Sequence, residues 1–142
     1  MIYTDKTKAA LKLCFEAHKN QVDKSGLPYV FHPFHLAEGM TDEATTIVAL
    51  LHDVVEDTDY TFEDLAQMEF GDEIIEALKL LTHGDGVDYM DYVRAIKGNP
   101  IARAVKLADL THNSDLTRLD KVDDKALERR NKYLEAYELL TK

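Results

Sequence analysis

Cysteine is almost absent from this sequence, which has one cysteine among 142 residues and no tryptophan. A single thiol cannot form an intramolecular disulfide, so a disulfide-stabilised scaffold is excluded and a reducing compartment such as the cytoplasm is expected. Cys14 lies between Leu13 and Phe15 in a largely apolar segment. We therefore expect a buried thiol that packs in the core and does not react.

Long apolar runs are also missing from the chain. No stretch of about 18 or more apolar residues occurs, as a membrane-spanning helix would require. The first residues show no charged segment followed by an apolar one. We therefore expect a cytoplasmic protein with no membrane span and no export signal.

Basic residues are few, because 17 Lys and Arg stand against 27 Asp and Glu and give a net charge of −10. Such a surface repels a phosphate backbone, so DNA and RNA polymers are excluded as expected partners. A small anionic substrate remains compatible with this charge. A bound metal ion and a few nearby lysines can reverse the potential inside one pocket.

Strand-like alternation of apolar and polar residues is absent, and nearly every periodic segment has helical spacing. The chain has the length of one ordinary domain. We therefore predict an all-α fold, a single compact helical bundle in which residues 1–142 form one domain. The predicted elements are a helix over about 4–22, a helix with Pro33 in its first turn, a helix capped by Thr41 or Asp42 that ends at Asp57, a short helix opened by a Thr61–Asp64 capping box, a helix that includes Ile74 and Leu81, a helix from Asp88 to Ile96, a helix opened by Asn99 and Pro100, and a last helix that includes Leu127 and Leu140.

Four polar side chains interrupt an apolar segment in the middle of the chain, at Leu51-His52-Asp53-Val54-Val55-Glu56-Asp57. In a continuous helix His52 and Glu56 lie one turn apart, as do Asp53 and Asp57. Ionisable groups in this apolar context are costly to bury without a partner, and a divalent cation removes that cost. The alternative is an acidic helix end that is simply solvated. The segment alone does not distinguish the two.

Two distant residues favour the metal site: His32 at a loop-to-helix junction and Asp109 on a late helix. With His52 and Asp53 they supply two imidazoles and two carboxylates. This set leaves positions open on an ion of five or six ligands, such as Mn²⁺, Fe²⁺ or Mg²⁺. Zinc stays an alternative, although its structural sites favour cysteine.

A divalent ion that acidifies water and polarises a phosphoryl oxygen is typical of phosphate-ester hydrolysis. Glu56 and Asp57 are the candidate catalytic residues, as groups that orient the water or accept its proton. The candidates for binding an anionic substrate are Lys24, Lys106 and Asn113. Ordinary alternatives exist, because most lysines are solvated. The other histidines are expected to pack or to form hydrogen bonds; they are His18, His35, His83 and His112.

The order His32, His52-Asp53, Asp109 resembles the signature of the HD phosphohydrolases, an all-α family of divalent-metal enzymes that act on phosphate esters. Longer strings resemble the hydrolase domain of the Rel/Spo stringent-response enzymes and the stand-alone small alarmone hydrolases. These strings are Gly26-Leu27-Pro28-Tyr29-Val30-Phe31-His32-Pro33, Leu51-His52-Asp53-Val54-Val55-Glu56-Asp57-Thr58, and Lys106-Leu107-Ala108-Asp109 with His112-Asn113. The resemblance extends from about Ala9 to Leu119.

This resemblance implies an HD-domain helical bundle whose four ligands hold one Mn²⁺. It implies that the Glu56-Asp57 pair assists the attack of water on the 3′-diphosphate of guanosine 3′,5′-bis(diphosphate). The products are then a 5′-nucleotide and pyrophosphate. It also implies that Lys24 contacts phosphate or base and that Asn113 contacts the nucleoside.

Two departures from the family concern substrate selection. The family usually has Arg-Lys before Ser-Gly, whereas this chain has Asp23-Lys24, and a carboxylate cannot make the arginine's cation–π contact with guanine. After His-Asn the family continues Met-Arg-Thr-Leu, and this chain has Ser114-Asp115-Leu116-Thr117.

Two alternatives therefore stay open beside alarmone hydrolysis. One is an HD phosphohydrolase of other specificity, a nucleotidase or phosphodiesterase, which Asp23 favours. The other is a non-catalytic nucleotide-binding or interaction module, against which the retention of Glu56 and Asp57 argues. The oligomeric state is open too, including a homo-oligomer formed through the helices after Asn99.

Overall fold

The computed structural model describes residues 1–142 as helices joined by short loops, with no β-strand. The one extended pairing is an isolated antiparallel bridge between Val22 and Pro28. The all-α prediction is confirmed. The helices are α1 (Asp5–His18), α2 (Phe31–Glu38), α3 (Glu43–Leu51), α4 (Val54–Asp57), α5 (Phe62–Gln67), α6 (Asp72–Leu81), α7 (Tyr89–Ile96), α8 (Pro100–Asn113) and α9 (Asp124–Thr141), and a 3₁₀ turn covers Leu116–Arg118.

Helix α3 lies at the centre of the fold, and every residue from Thr45 to Leu51 is buried. It packs against α1, α2, α6 and α8. A helix that buries its whole circumference is stable only inside a protein. Because α3 is buried up to its last residue, the next residue, His52, also lies in the interior.

Cys14 lies in the same core, as predicted from its apolar neighbours, and burial raises the pKa of its thiol to about 12.

Most helix starts have the capping residues predicted from the sequence. Asp42 caps α3, the Thr61–Asp64 capping box opens α5, and Asn99 with Pro100 opens α8. Such caps are local, because they satisfy backbone N–H groups that have no partner within the helix. The first helix is shorter than predicted and ends at His18.

The segment that leads into the polar motif is not one helix, so the prediction of a single helix ending at Asp57 is wrong. Helix α3 ends at Leu51, and the four-residue α4 begins at Val54. His52 Nδ1 donates to the Ala49 carbonyl at 2.6 Å and so occupies an acceptor that a continuing helix would use. Asp53 has φ −107° and ψ 1°, outside the helical region. His52 and Asp53 thus lie at a break between two helices.

Helix α9 packs against α7 and α8. It buries Ala126, Ala136 and Leu140, whereas Leu134 on another face is 45% exposed. Although α9 has 18 residues, neither it nor any other helix combines the length and apolar character needed to cross a membrane. Lys132 and Tyr133 in the middle of α9 line a cavity together with Tyr89 at the start of α7 and Asn113 at the end of α8.

We expect Leu140→Ala to lower the free energy of unfolding by about 2–5 kcal/mol, because it opens a cavity where α9 meets the core. Leu134→Ala is the matched control, since it makes the same change on the exposed side of the same helix. It should cost less than about 1 kcal/mol. Urea denaturation followed by circular dichroism gives both values, and equal costs would contradict the packing of α9.

Candidate active site

Three separate elements bring their polar side chains together in the interior. His32 comes from the first turn of α2, His52 from the break after α3, and Asp109 from α8. Asp109 Oδ1 lies 2.9 Å from His32 Nε2 and 3.7 Å from His52 Nε2. Asp53 Oδ2 lies 3.0 Å from His52 Nε2. The four residues predicted as metal ligands are therefore neighbours in space.

The tautomer of His52 is determined by its surroundings. A carbonyl oxygen can only accept, so the 2.6 Å contact with Ala49 places a proton on His52 Nδ1. His52 Nε2 is buried and has no hydrogen-bond partner. This nitrogen faces the carboxylates of Asp53 and Asp109; burial lowers the pKa of His52, but these carboxylates raise it well above its usual value. A bound cation would displace the proton from Nε2 and take its place between the same carboxylates, as metal binding to histidine requires.

His32 is held from behind by a second histidine. Its Nδ1 lies 2.7 Å from His112 Nδ1, and the two rings are stacked with an interplanar angle of 4°. Burial, together with Arg118, lowers the pKa of His112 to about 4, so this ring is neutral and able to accept at neutral pH. With the proton on His32 Nδ1, His32 Nε2 presents its lone pair toward Asp109. His112 was expected to pack or to form a hydrogen bond, and the structure shows that its hydrogen-bond partner is a predicted ligand.

Asp109 receives two further hydrogen bonds from its own helix. Lys106 Nζ donates to Oδ2 at 3.0 Å, and Asn113 Nδ2 donates to Oδ1 at 3.0 Å. Burial raises the pKa of Asp109, but the adjacent Lys106 ammonium outweighs burial and holds this pKa well below its usual range. Lys106 and Asn113 were predicted as substrate-binding residues. Both line the cavity described below, and both also orient Asp109.

Tyr29 holds the other carboxylate. Its hydroxyl donates to Asp53 Oδ2. Burial raises the pKa of Asp53, but the charge and hydrogen bond of a protonated His52, together with the Tyr29 hydrogen bond, lower it to about 2. Sequence reasoning did not select Tyr29 as a site residue. The signal was its position three residues before His32, inside one of the motif strings.

This donor set fits a divalent metal ion. The nitrogens of His32 and His52 and an oxygen of Asp109 lie within 4.8 Å of one another. Two imidazole nitrogens and two carboxylates suit a borderline or hard divalent cation. A hydrogen bond with another group of the protein orients each of the four side chains, as is usual around metal centres.

Glu56 and Asp57 lie next to this group, with carboxylate oxygens within 4.8 Å of each other and of Asp53. Glu56 Oε1 accepts a hydrogen bond from the backbone N–H of His83 at 2.8 Å. Burial and the charges of Asp53 and Glu56 raise the pKa of Asp57 to about 6. Asp57 therefore titrates near neutral pH, which is the range in which a general base works well.

Two adjoining cavities meet at this group. The first, of about 320 Å³, contains the carboxylates and is lined by Tyr29, His52, Asp53, Glu56, Asp57, Leu81, His83, Tyr89, Tyr92, Val105, Lys106, Asp109, Asn113, Lys132 and Tyr133. The second, of about 340 Å³, shares Tyr29, Asn113 and Tyr133 with the first. A ligand that extends from one to the other must pass these three residues.

Lys24 lines the second cavity and not the first, together with Arg118 and Arg129. Burial and Arg129 lower the pKa of Lys24. Asp23 lines the same cavity, and its Oδ1 accepts hydrogen bonds from the backbone N–H groups of Ser25 and Leu27 at 2.9 and 3.0 Å. The carboxylate that replaces the family's arginine therefore holds a turn.

Curated relatives of this chain include proteins of alarmone metabolism. Over 120 residues the chain is 37% identical to guanosine-3′,5′-bis(diphosphate) 3′-pyrophosphohydrolase MESH1 of Mus musculus, a match that covers 73% of this chain and 66% of that protein. Over 113 residues it is 34% identical to the bifunctional (p)ppGpp synthase/hydrolase SpoT of Escherichia coli, covering 69% and 16%. It is 35% identical over 117 residues to a probable GTP pyrophosphokinase of Mycobacterium leprae, covering 73% and 15%. The chain thus spans about one seventh of the length of these long bacterial relatives.

A solved structure resembles nearly the whole chain. It is described as a metazoan ortholog of SpoT that hydrolyses ppGpp, and it superposes with a TM-score of 0.78 at 25% identity, covering 99% of this chain and 88% of that one. The family model for the HD domain matches residues 10–136, which include all four predicted ligands. This chain therefore belongs to the HD-domain family.

Proposed function

We propose that this protein is a metal-dependent phosphohydrolase that removes the 3′-diphosphate of guanosine 3′,5′-bis(diphosphate) or a similar alarmone and releases pyrophosphate. The observation that carries the proposal is the buried, unpartnered His52 Nε2, which faces Asp53 and Asp109 beside Glu56 and Asp57. The names of the MESH1 and SpoT relatives support the same substrate.

His32, His52, Asp53 and Asp109 would hold one divalent ion; the family resemblance favours Mn²⁺, and Fe²⁺, Mg²⁺ and Zn²⁺ are compatible with the same nitrogen and oxygen ligands. When bound, such an ion acidifies water and polarises a phosphoryl oxygen. Lys106 offsets the charge of Asp109, and Tyr29 offsets part of that of Asp53. The protein thus reduces the repulsion that two buried carboxylates would exert on a phosphate.

Glu56 and Asp57 divide the handling of the water between them. The His83 N–H holds Glu56 through Oε1, which leaves Oε2 to accept a hydrogen bond from the attacking water. Asp57, with a pKa raised to about 6, is the carboxylate that takes up the proton. Both face the first cavity, so we place the 3′-diphosphate there.

The second cavity would receive the rest of the nucleotide. Lys24, Arg118 and Arg129 line it and provide positive charge for 5′-phosphates. Asn113 lies between the cavities, where the ribose would cross. We therefore expect the 3′ and 5′ substituents to occupy different cavities.

A phosphohydrolase of other specificity is the second candidate, and Asp23 is the observation that favours it. Asp23 and Asp115 line the nucleoside cavity where the family has arginines. Neither residue can stack on guanine. A nucleotidase that releases inorganic phosphate, or a phosphodiesterase, would retain the same metal ligands and the same Glu56-Asp57 pair.

The released product distinguishes these candidates. We expect the metal-loaded protein, incubated separately with 3′-diphosphate, 5′-monophosphate and cyclic nucleotides, to release pyrophosphate from guanosine 3′,5′-bis(diphosphate). Ion chromatography separates pyrophosphate from orthophosphate. Release of orthophosphate from a monophosphate alone, or cleavage of a cyclic nucleotide alone, would replace the proposal with the second candidate.

Substitutions separate metal binding from turnover. Asp109→Asn should lose bound metal, because it removes a ligand charge while keeping the side-chain volume. Glu56→Gln and Asp57→Asn should keep the metal and lose about 100-fold or more in kcat, as expected for loss of a general base. Metal content by mass spectrometry, measured beside activity, tests both statements.

Asp59→Asn is the matched control for these substitutions, since Asp59 is exposed two residues beyond Asp57. It should retain both metal and activity. Circular dichroism should show that Asp109→Asn remains helical. Full activity in both Glu56→Gln and Asp57→Asn would contradict the proposal that these two carboxylates orient and deprotonate the water.

Asp23→Asn tests how the second cavity selects its ligand. Asparagine keeps an Oδ1 that can accept from Ser25 and Leu27, so the turn is preserved while one negative charge is lost. We expect KM for guanosine 3′,5′-bis(diphosphate) to fall about fivefold with little change in kcat, from roughly 1 kcal/mol of relieved repulsion. Steady-state kinetics measure this, with Asp72→Asn on the exposed first turn of α6 as control. An unchanged KM would mean that Asp23 does not oppose the substrate.

A further inference from the structure

A tyrosine hydroxyl in the first cavity has no use in the mechanism above. Tyr89 begins α7 and lines this cavity. Its hydroxyl is buried and makes no well-formed hydrogen bond within the protein, although burial raises its pKa and the nearby Lys106 ammonium opposes that rise. Leaving such a group unsatisfied costs about 1–3 kcal/mol, so native proteins usually pair it with a water or a ligand. The hydroxyl of Tyr89 is therefore available to a ligand in this cavity.

A lysine from a different helix lies over the same tyrosine. Lys132 of α9 places Nζ 4.5 Å from the centre of the Tyr89 ring and 5.5 Å from that of Tyr133. These aromatic faces hold the ammonium at the cavity wall. Lys132 forms no salt bridge, since no carboxylate oxygen lies within 4.0 Å of it. Its ammonium is therefore not committed to an ion pair within the protein.

The other lysine of this cavity is already paired. Lys106 Nζ lies 3.0 Å from Asp109 Oδ2 and is buried. Glu56 and Asp57 add negative charge to the cavity wall. A diphosphate bound near these carboxylates therefore needs a cation that lies elsewhere in the cavity. Lys132 is the lysine that meets this condition.

We propose that Tyr89 and Lys132 form a subsite for the distal phosphate of the substrate's 3′-diphosphate. The Tyr89 hydroxyl donates to a phosphate oxygen, and Lys132 supplies the positive charge beside it. After hydrolysis the same contacts hold the far end of pyrophosphate. The assignment to a 3′-diphosphate rests on the proposed function, whereas the affinity for a terminal phosphate rests on these two side chains.

Binding of the inorganic product tests this subsite without turnover. Pyrophosphate and orthophosphate are titrated calorimetrically into metal-loaded protein, with the same free metal concentration in cell and syringe. The variants are Tyr89→Phe, which keeps the ring under Lys132, and Lys132→Gln. Lys125→Gln is the control, because Lys125 is an exposed lysine two turns earlier on α9 that lines neither cavity.

We expect wild type to bind pyrophosphate about tenfold or more tightly than orthophosphate, since only pyrophosphate reaches both phosphate positions. Tyr89→Phe and Lys132→Gln should each weaken pyrophosphate binding about tenfold and leave orthophosphate binding within about twofold. Lys125→Gln should match wild type. Thermal unfolding without ligand should occur at the same or a higher temperature in Tyr89→Phe, because this variant removes a buried hydroxyl that lacks a partner in the protein.

Three results would overturn the subsite: no preference of wild type for pyrophosphate, no loss in either variant, or an equal loss for both anions. A failure of the proposed function looks different. If the protein does not hydrolyse guanosine 3′,5′-bis(diphosphate) but both variants selectively lose pyrophosphate, the subsite is supported and the alarmone assignment is not.

Discussion

The hydrogen bond from His52 Nδ1 to the Ala49 carbonyl is the constraint on which the centre of the molecule depends. It takes an acceptor from the end of α3, and the helix stops there. It also determines which nitrogen of His52 carries the proton. Asp53 follows with a non-helical backbone and faces the same interior space. One local contact therefore controls the end of a helix, a tautomer and the direction of a carboxylate.

Charge compensation around the carboxylates is the second requirement of this centre. The chain carries a net charge of −10, yet its buried carboxylates are individually satisfied. Lys106 and Asn113 satisfy Asp109, and Tyr29 satisfies Asp53. Without these donors, the cost of burying the carboxylates would weigh against the fold. Asp57 is less well compensated, which is why its pKa lies nearest to neutral pH.

The features that were predictable from the sequence are those set by residue type or by near neighbours. Asn99 and Pro100 act within one helical turn, and their effect on α8 was predicted. The grouping of His32 with Asp109 was predicted because imidazole and carboxylate are recognisable ligand types in the order of a known family. The position of Lys106 three residues before Asp109 and of Asn113 four after it would have revealed their hydrogen bonds, since these spacings share a helix face.

Other features depend on which elements meet, and the sequence does not express that directly. The helix breaks where the His52 side chain, in place of a backbone N–H, donates to the carbonyl of Ala49. The contact of His112 with His32 joins residues 80 positions apart. The turn held by Asp23 needed its carboxylate to accept from backbone groups further along the loop. In each case the residue type alone did not indicate the hydrogen bond, because its partner is determined by how the chain folds.

The helices divide into two groups with different freedom to vary. The metal-ligand candidates lie on α2, on α8 and at the break after α3, all packed around the core. Arg129, Lys132 and Tyr133, which line the two cavities, lie together on α9 at the end of the chain. Substitutions at these three positions can therefore change the cavity walls without removing a hydrogen bond of the interior carboxylates, whereas Leu140 and Ala136 on the same helix are fixed by the core. Ligand preference and the metal-ligand candidates can thus vary independently in a lineage with this architecture.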